Sequence, residues 1–180
     1  MKKVTLLDCT LRDGGYYNNW DFSNELVNEY LKVMSSVGIN YVELGFRSFK
    51  SRGFKGPSWY TTDSYIESFK IPKSLKVAVM VNVSELLSHP LGPIKAIKLL
   101  FKKSQNTKIK LVRLASHYEE FNTAAEVCKV LKNMGYEVGI NLMQISEQSA
   151  EKIISIAKIA NNAKPDILYF ADSLGSMVPS

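Results

Sequence analysis

The densest group of reactive side chains is Asp8-Cys9-Thr10-Leu11-Arg12-Asp13-Gly14-Gly15. The spacing predicts a strand that delivers Asp8. Arg12 and Asp13 then follow as neighbours in a turn relaxed by two glycines. A carboxylate at a strand end can ligate a hard divalent cation, which takes oxygen ligands. A guanidinium beside it can hold a carboxylate or a developing enolate through a fork of hydrogen bonds. Together they suit chemistry on a 2-oxo acid. A metal would polarise the keto and carboxylate oxygens while the guanidinium stabilises enolate charge. The competing reading of the same residues is a surface ion pair in a glycine turn, since charged turn residues are common.

These residues need elements to position them. Val4–Asp8, Asn40–Gly45, Lys76–Val81, Ile109–Ala115, Glu137–Met143 and Ile167–Ala171 read as six strands. Lys76–Val81 has almost no polar alternation, as a strand buried on both faces should. Leu26, Val27, Tyr30, Leu31 and Met34 recur at helical spacing. Ser23 is placed as the N-cap of that helix, Phe22 and Val27 as its hydrophobic staple, and Gly38 as its stop. Further helical patterns cover Leu86–Lys103, interrupted by Pro90 and Pro93, then Phe121–Met134, ended by Gly135, and Glu147–Asn162. The segment between the second strand and Trp59 reads as irregular.

Strands alternating with helices or long crossovers imply parallel pairing and right-handed connections. A doubly wound open sheet and a closed barrel share this pattern. Polar residues discriminate between them. Asp8, Glu43 with Arg47, Asn82, Arg113 with His117, Asn141 with Gln144, and Asp172 with Ser173 all lie at or just after strand ends. In a barrel all such ends meet on one face, whereas an open sheet uses only those at its switch point. The expected fold class is therefore α/β, a TIM (β/α)8 barrel truncated to about six βα units. Residues 1–180 are expected to be one partial catalytic domain that lacks the C-terminal strands. A complete barrel needs roughly 250 residues. Ser176-Met177-Val178-Pro179 also reads as the start of one more helix. Open barrel edges predict self-association, or pairing with another chain.

Composition narrows the functional classes. Of 180 residues 46% are hydrophobic and 22% charged, which is ordinary for a soluble globular domain. Lys plus Arg number 23 against 17 Asp plus Glu, giving +6. That excess favours acidic partners, but no compact basic run is interleaved with aromatics, so no nucleic-acid partner is expected. No stretch approaches the roughly 20 apolar residues of a membrane span. The N-terminal apolar run stops at Asp8, too early for a signal-peptide core. Cys9 and Cys128 read as small buried hydrophobes suited to a reducing cytoplasm.

The motif Asp8–Gly14, DCTLRDG, resembles the N-terminal signature of the DRE-TIM metallolyases. That superfamily includes 4-hydroxy-2-oxovalerate aldolase, hydroxymethylglutaryl-CoA lyase, and the isopropylmalate and homocitrate synthases. Leu111–His117, LVRLASH, and Tyr169–Met177, YFADSLGSM, resemble fourth- and sixth-strand segments of its aldolase branch. The resemblance implies a (β/α)8 barrel and a Mg²⁺ or Mn²⁺ cofactor. It implies Asp13 as a metal ligand and Arg12 as the enolate-stabilising residue. Asp8 and Thr10 would support their loop, Glu43 would be an acid on the pocket floor, and Ser173 would lie beside the substrate. Two departures stand out. The family's other metal ligands form a His-x-His pair on the seventh strand, and the two histidines here, His89 and His117, are not so spaced. The best-known aldolases also carry a catalytic His just after the Arg-Asp pair, and Gly14–Trp20 has none. Tyr16 or Tyr17 could take that place, although tyrosine is a poor base near neutral pH without strong perturbation.

Other candidates carry two readings each. His117 suits an acid, base or substrate contact, or a helix cap. His89 reads as a loop residue. Arg113 alternates within its strand and would need an acidic partner such as Glu43 if it points inward. Arg47 is a weaker candidate for a substrate anion. Lys50, Arg52 and Lys55, with Gly53 and Gly56, suit either a phosphate-binding lid or a solvated loop. Lys95, Lys98, Lys102, Lys103, Lys108 and Lys110 read as the wet face of a helix and its exit.

The leading functional expectation is a carbon–carbon lyase. Its substrate contacts would be Arg12, Glu43, Arg113 and Ser173, its metal ligand Asp13, and its proton carriers Tyr16 and His117. A Claisen-type synthase joining an acyl-CoA to a 2-oxo acid is the alternative within the superfamily. A non-catalytic (β/α) domain binding acidic ligands is the alternative outside it. The isolated 180 residues are expected to be inactive or nearly so, because one carboxylate cannot hold a catalytic metal.

Overall fold

A computed structural model describes residues 4–49, 51, 53–173 and 175–177. The expectations for Lys50, Arg52, Leu174, Val178 and Pro179 lie outside the described residues. The chain forms two compact units, Met1–Met80 with Ser104–Leu111, and Val81–Lys103 with Val112–Ser180.

Six strands are present: Leu7–Asp8 (β1), Tyr41–Phe46 (β2), Lys76–Asn82 (β3), Ile109–Ser116 (β4), Glu137–Leu142 (β5) and Ile167–Phe170 (β6). Their order in the sheet is β1-β2-β3-β4-β5-β6. A doubly wound sheet reverses strand order at a switch point. This sheet has no reversal, which is the winding of a barrel.

In the first unit β1 pairs with β2 in parallel, Asp8 opposite Val42, and β2 with β3, Glu43 opposite Ala78. The β2–β3 register shifts between Glu43 and Phe46. Gly45 lies at that irregularity with φ +154°, and a Cβ there would sit 1.8 Å from the Ser58 carbonyl oxygen. The bare glycine thus lets a short helix, Pro57–Tyr60 (α3 below), press onto β2.

The largest departure from expectation is at Asp8–Gly15. The glycines do not make a turn. Thr10–Asn18 is a helix (α1), opened by a bond from the Asp13 N–H to the Cys9 carbonyl, 2.9 Å. It ends where Asn19 and Trp20 both take positive φ, 57° and 60°. That reversal brings the Trp20 ring back over the helix. A Cβ on Gly15 would lie 2.0 Å from Trp20 Cδ1, so Gly15 is needed for close packing. Trp20 is 3% exposed, and its indole N–H donates to the Arg12 carbonyl at 2.9 Å. Cys9 precedes this helix and is half-buried, not buried as expected.

Asn24–Ser36 (α2) starts as the sequence predicts. Ser23 caps it by accepting from the Leu26 N–H, and Val27 and Leu31 are wholly buried. Each such aliphatic side chain contributes roughly 1.5–3 kcal/mol. Gly38 stands just past its end with φ +79°. Within and beyond the stretch expected to be irregular come two short helices, Pro57–Tyr60 (α3) and Asp63–Glu67 (α4).

The second unit holds helices Val83–Leu87 (α5), Pro93–Leu100 (α6), Phe121–Asn133 (α7) and Ala150–Ala163 (α8). Pro93 opens α6 at its first turn, where a missing N–H costs nothing. The last helix starts at Ala150, capped by Ser149, and not at Glu147. There β5 pairs with β6 in parallel, Asn141 opposite Tyr169. The face of α7 carrying Ala124, Val127, Cys128 and Leu131 is buried.

Two neighbouring glycines should respond oppositely to alanine. Gly14→Ala meets only Phe22 Cζ at 3.8 Å and should be neutral or stabilising by up to about 1 kcal/mol. Gly15→Ala should cost about 2 kcal/mol or more through its collision with Trp20. Urea denaturation of the two variants decides it, and equal midpoints would refute the close packing.

Candidate active site

Arg12 is the centre of the first unit's polar cluster. Its Nε donates to Glu43 Oε1 at 2.7 Å, and its Nη1 lies 2.5 Å from Asp13 Oδ1. Glu43, in mid-β2, is 0% exposed, while Asp13 is 59% exposed. The guanidinium is therefore held from below by a buried carboxylate and flanked by an open one. Its carbon lies 5.9 Å from the Phe46 ring centroid. Burial alone would disfavour the charge, but Glu43 outweighs it, and Arg12 is held above its ordinary pKa. Nη2 donates no hydrogen bond among the described residues, which leaves one arm of the fork for an incoming anion.

Aromatic rings wall this cluster. Trp20 meets Phe46 at 5.7 Å and Trp59 at 4.5 Å between centroids. Tyr16 packs edge-on to Trp20 at 4.8 Å and is itself 65% exposed. Tyr17 is 95% exposed and seals nothing. Lys55 Nζ sits over the Trp20 and Trp59 rings at 4.9 and 5.3 Å and donates to Asn19 Oδ1 at 3.1 Å. Its role here is to cover the aromatic wall.

Asp8 fixes the start of α1. Its Oδ1 accepts from the Thr10 N–H at 2.9 Å and from the Tyr30 hydroxyl at 2.5 Å. Partial burial pushes the Asp8 carboxyl up, but the bonds from Tyr30 and Thr10 outweigh this and hold it below its usual value. The Tyr30 hydroxyl is pushed far up by burial and by the adjacent Asp8 carboxylate. Tyr30 is the residue that sequence reasoning missed as part of the site. It reads as one more apolar position of α2, and only its hydroxyl hints at a polar partner.

Arg47 serves the framework. It is 8% exposed, donates through Nη1 to the Thr61 carbonyl and through Nη2 to Asp63 Oδ2, and so fastens the end of α3 and the start of α4 to the end of β2.

The remaining candidates belong to the second unit. Arg113, 6% exposed, donates to Asn141 Oδ1 at 3.2 Å and stacks on the Tyr169 ring at 4.5 Å. Bare Gly139 leaves room for Tyr169, whose ring would stand 3.1 Å from a Cβ there. His117 receives its local order through the main chain. Its N–H donates to Glu120 Oε2 at 3.0 Å, and its carbonyl accepts from the Ser116 hydroxyl at 2.9 Å. His89, as expected of a loop residue, accepts at Nδ1 from the Leu91 N–H. Ser173 Oγ accepts from the Gln144 N–H at 3.3 Å. Asp172 accepts from the Met177 and Ser176 N–H groups, and these bonds, Met177 first, hold its carboxyl below the usual range.

No group of three or more His, Cys, Asp or Glu side chains among the described residues is placed to hold a metal ion. Asp13 offers one open carboxylate, which is a partial donor set for a hard cation. No helix among the described residues is long and apolar enough to cross a membrane.

The HMGL-like family model matches residues 3–180. The chain belongs to the HMGL-like family. Two curated relatives are 4-hydroxy-2-oxovalerate aldolases. The one from Bacillus cereus (strain ATCC 10987 / NRS 248) is 26% identical over 99% of this chain and 50% of its own length. The one from Carboxydothermus hydrogenoformans is 27% identical over 99% of this chain and 51% of its own. The chain thus spans about half the length of the curated relatives it matches. Among solved structures, the N-terminal domain of a candidate aldolase from Bacteroides vulgatus superposes with TM-score 0.75 and 30% identity, over 98% of this chain and 56% of that one. The HMG-CoA lyase from Brucella melitensis gives TM-score 0.63 at 14% identity, over 99% of this chain and 64% of that one, which shows a shared fold. This HMGL-like chain therefore carries six successive strands of a (β/α)8-type barrel.

Tyr30→Phe tests the anchor beneath α1. Asp8 has a lowered folded pKa, so its contribution is complete above the unfolded value of 3.8 and is lost as pH falls through the folded one. Removing the Tyr30 donor should cost about 1 kcal/mol at pH 7 for this partly exposed pair, and less at pH 3. Denaturation at both pH values checks it; an equal loss at pH 3 and pH 7 would sink the linkage.

Proposed function

We propose that this chain contributes the enolate-stabilising part of a carbon–carbon lyase centre that acts on a 4-hydroxy-2-oxo acid. The observation that carries the reading is the Arg12 fork, pinned through Nε to a wholly buried Glu43 and left with an unbonded Nη2 beside the open carboxylate of Asp13. Membership of the HMGL-like family and relatives named aldolases support it.

In retro-aldol cleavage the bond between C3 and C4 breaks, the C4 hydroxyl loses its proton, and the electron pair collects on the C2 oxygen as an enolate. Aldehyde leaves from C4. Arg12 meets the charge at the enolate and the adjacent carboxylate without surrendering a proton, because Glu43 holds it cationic. Glu43 also fixes the plane of the guanidinium, so little reorganisation is needed as charge develops. Asp13 would be one oxygen ligand of a Mg²⁺ or Mn²⁺ ion whose remaining donors are not grouped with it among the described residues. When bound, that ion supplies Lewis-acid polarisation of the 2-oxo group. Tyr16 borders the cluster and is the candidate proton carrier on this unit.

The test uses the full-length protein with a 4-hydroxy-2-oxo acid, following aldehyde release through a coupled NADH-dependent dehydrogenase. Arg12→Lys should lower kcat by about 10²-fold or more with a smaller change in KM. Wild-type rates from the Arg12→Lys variant would remove the basis of the proposal. For the 180 residues alone, one carboxylate predicts no saturable Mn²⁺ binding in the micromolar range. Calorimetric titration reads this directly, and tight binding would refute the partial donor set.

A further inference from the structure

The amino-terminal end of the first unit's strands carries a cavity of about 400 Å³. That volume lies within the range of small-molecule sites, about 300–1,000 Å³. Its floor includes Leu75 and Val77, both buried. Four lysines line it, Lys73, Lys76, Lys108 and Lys110, and no acidic residue does. The sequence alone read Lys108 and Lys110 as the exit from a wet helix face. Lys108 does stand in the loop before β4, and Lys110 is the second residue of β4, as the reading of Ile109–Ala115 as a strand implies; both border the cavity.

Two of these four charges have no partner among the described residues. Lys73 and Lys110 make no hydrogen bond or ion pair among the described residues. Lys108 reaches only the Phe69 carbonyl, at 3.5 Å. Lys76 is oriented by Tyr41, whose hydroxyl it meets at 2.9 Å and whose ring centroid lies 4.9 Å from its Nζ. Asp63 touches this region through Thr107, from whose hydroxyl it accepts at 2.7 Å, but it also holds Arg47. Clustered cations over an apolar floor lower their mutual repulsion by taking up an anion.

The strands are parallel, and Tyr41 at the start of β2 pairs with Lys76 at the start of β3. Arg12 and Asp13 follow the opposite, carboxyl end of β1. A six-residue strand spans about 20 Å, so the cavity is remote from the candidate active site.

We propose that this cavity is a second, non-catalytic binding site for a small anionic amphiphile. A phosphate or carboxylate head would meet the lysines, and an apolar body would lie on Leu75 and Val77. This inference stands independently of the proposed activity.

Hexyl phosphate, hexanoate, inorganic phosphate and 1-hexanol, each titrated into the full-length protein by calorimetry and by amide NMR, form the test. Saturable one-to-one binding of hexyl phosphate, hexanoate or both is expected, with shifts at Val77 and Lys108, and the stronger of the two identifies the head group. Phosphate and hexanol should bind at least about tenfold more weakly, because each lacks half of the recognition. The Lys73→Gln/Lys110→Gln variant alters two exposed side chains and should lose about tenfold in affinity. Raising salt should weaken wild-type binding. The proposal is overturned if neither amphiphile saturates, if inorganic phosphate or hexanol binds as tightly as the better amphiphile, if the double variant binds like wild type, or if the shifts lie away from the cavity.

Discussion

The contact on which the first unit's polar cluster depends is the ion pair between Arg12 and Glu43. A carboxylate with no exposed surface in the middle of β2 is expensive to bury, and it is tolerated when a cation meets it at hydrogen-bond distance. Such pairs are weak evidence for stability but strong constraints on geometry. Glu43 engages Nε, the inner edge of the guanidinium, so the outer nitrogens face Asp13 and the mouth of the unit. A lysine in place of Arg12 would have to satisfy Glu43 with its single ammonium and would have no outer arm left.

Everything that holds α1 serves that orientation. The helix is short and glycine-rich, so its own propensity is poor. Three outside contacts compensate. Asp8 and Tyr30 secure its first turn from β1 and α2. Trp20 closes over Gly15 and donates back to the Arg12 carbonyl, so the residue that carries the guanidinium is tied at its main chain as well as at its side chain. Gly45 lets α3 approach β2, and α3 brings Trp59 against Trp20. The two glycines in different elements are linked: each is bare so that one wall of the same aromatic cluster can close.

This explains which parts were legible in the sequence. The runs Lys76–Asn82 and Ile109–Ser116 are apolar enough that little but a buried strand fits them, and their boundaries were read to within one residue. Arg12 and Asp13 stood out as adjacent charges in one motif, and Glu43 through the family resemblance, but the bond between Arg12 and Glu43 was not legible, because nothing in the spacing brings the middle of β2 under α1. Helix α1 was not, because Gly-Gly after a charged pair is ordinary turn chemistry and the reason for Gly15 lies in a ring five residues on. Helices α3 and α4, of four and five residues, leave no periodicity to detect. Tyr30 was hidden because an amphipathic pattern records that a residue is buried, not that its hydroxyl meets a carboxylate.

The excess positive charge has the same geometric logic. A formal +6 spread over 180 residues favours no particular ligand. In the first unit, though, the strands sort it by direction. At their carboxyl end Asp8 accepts from the neutral Tyr30 hydroxyl, and Glu43 and Asp13 share the single cation Arg12, so this cluster is partnered and net negative. At their amino end the lysines around Leu75 and Val77 have no acidic residue among the cavity walls. Parallel pairing makes this separation stable, because every strand points the same way and a polar residue at a given end stays at that end. A parallel sheet can therefore keep a partnered, pre-oriented, net anionic cluster at one end and a cationic one at the other, with the strands between them separating the two.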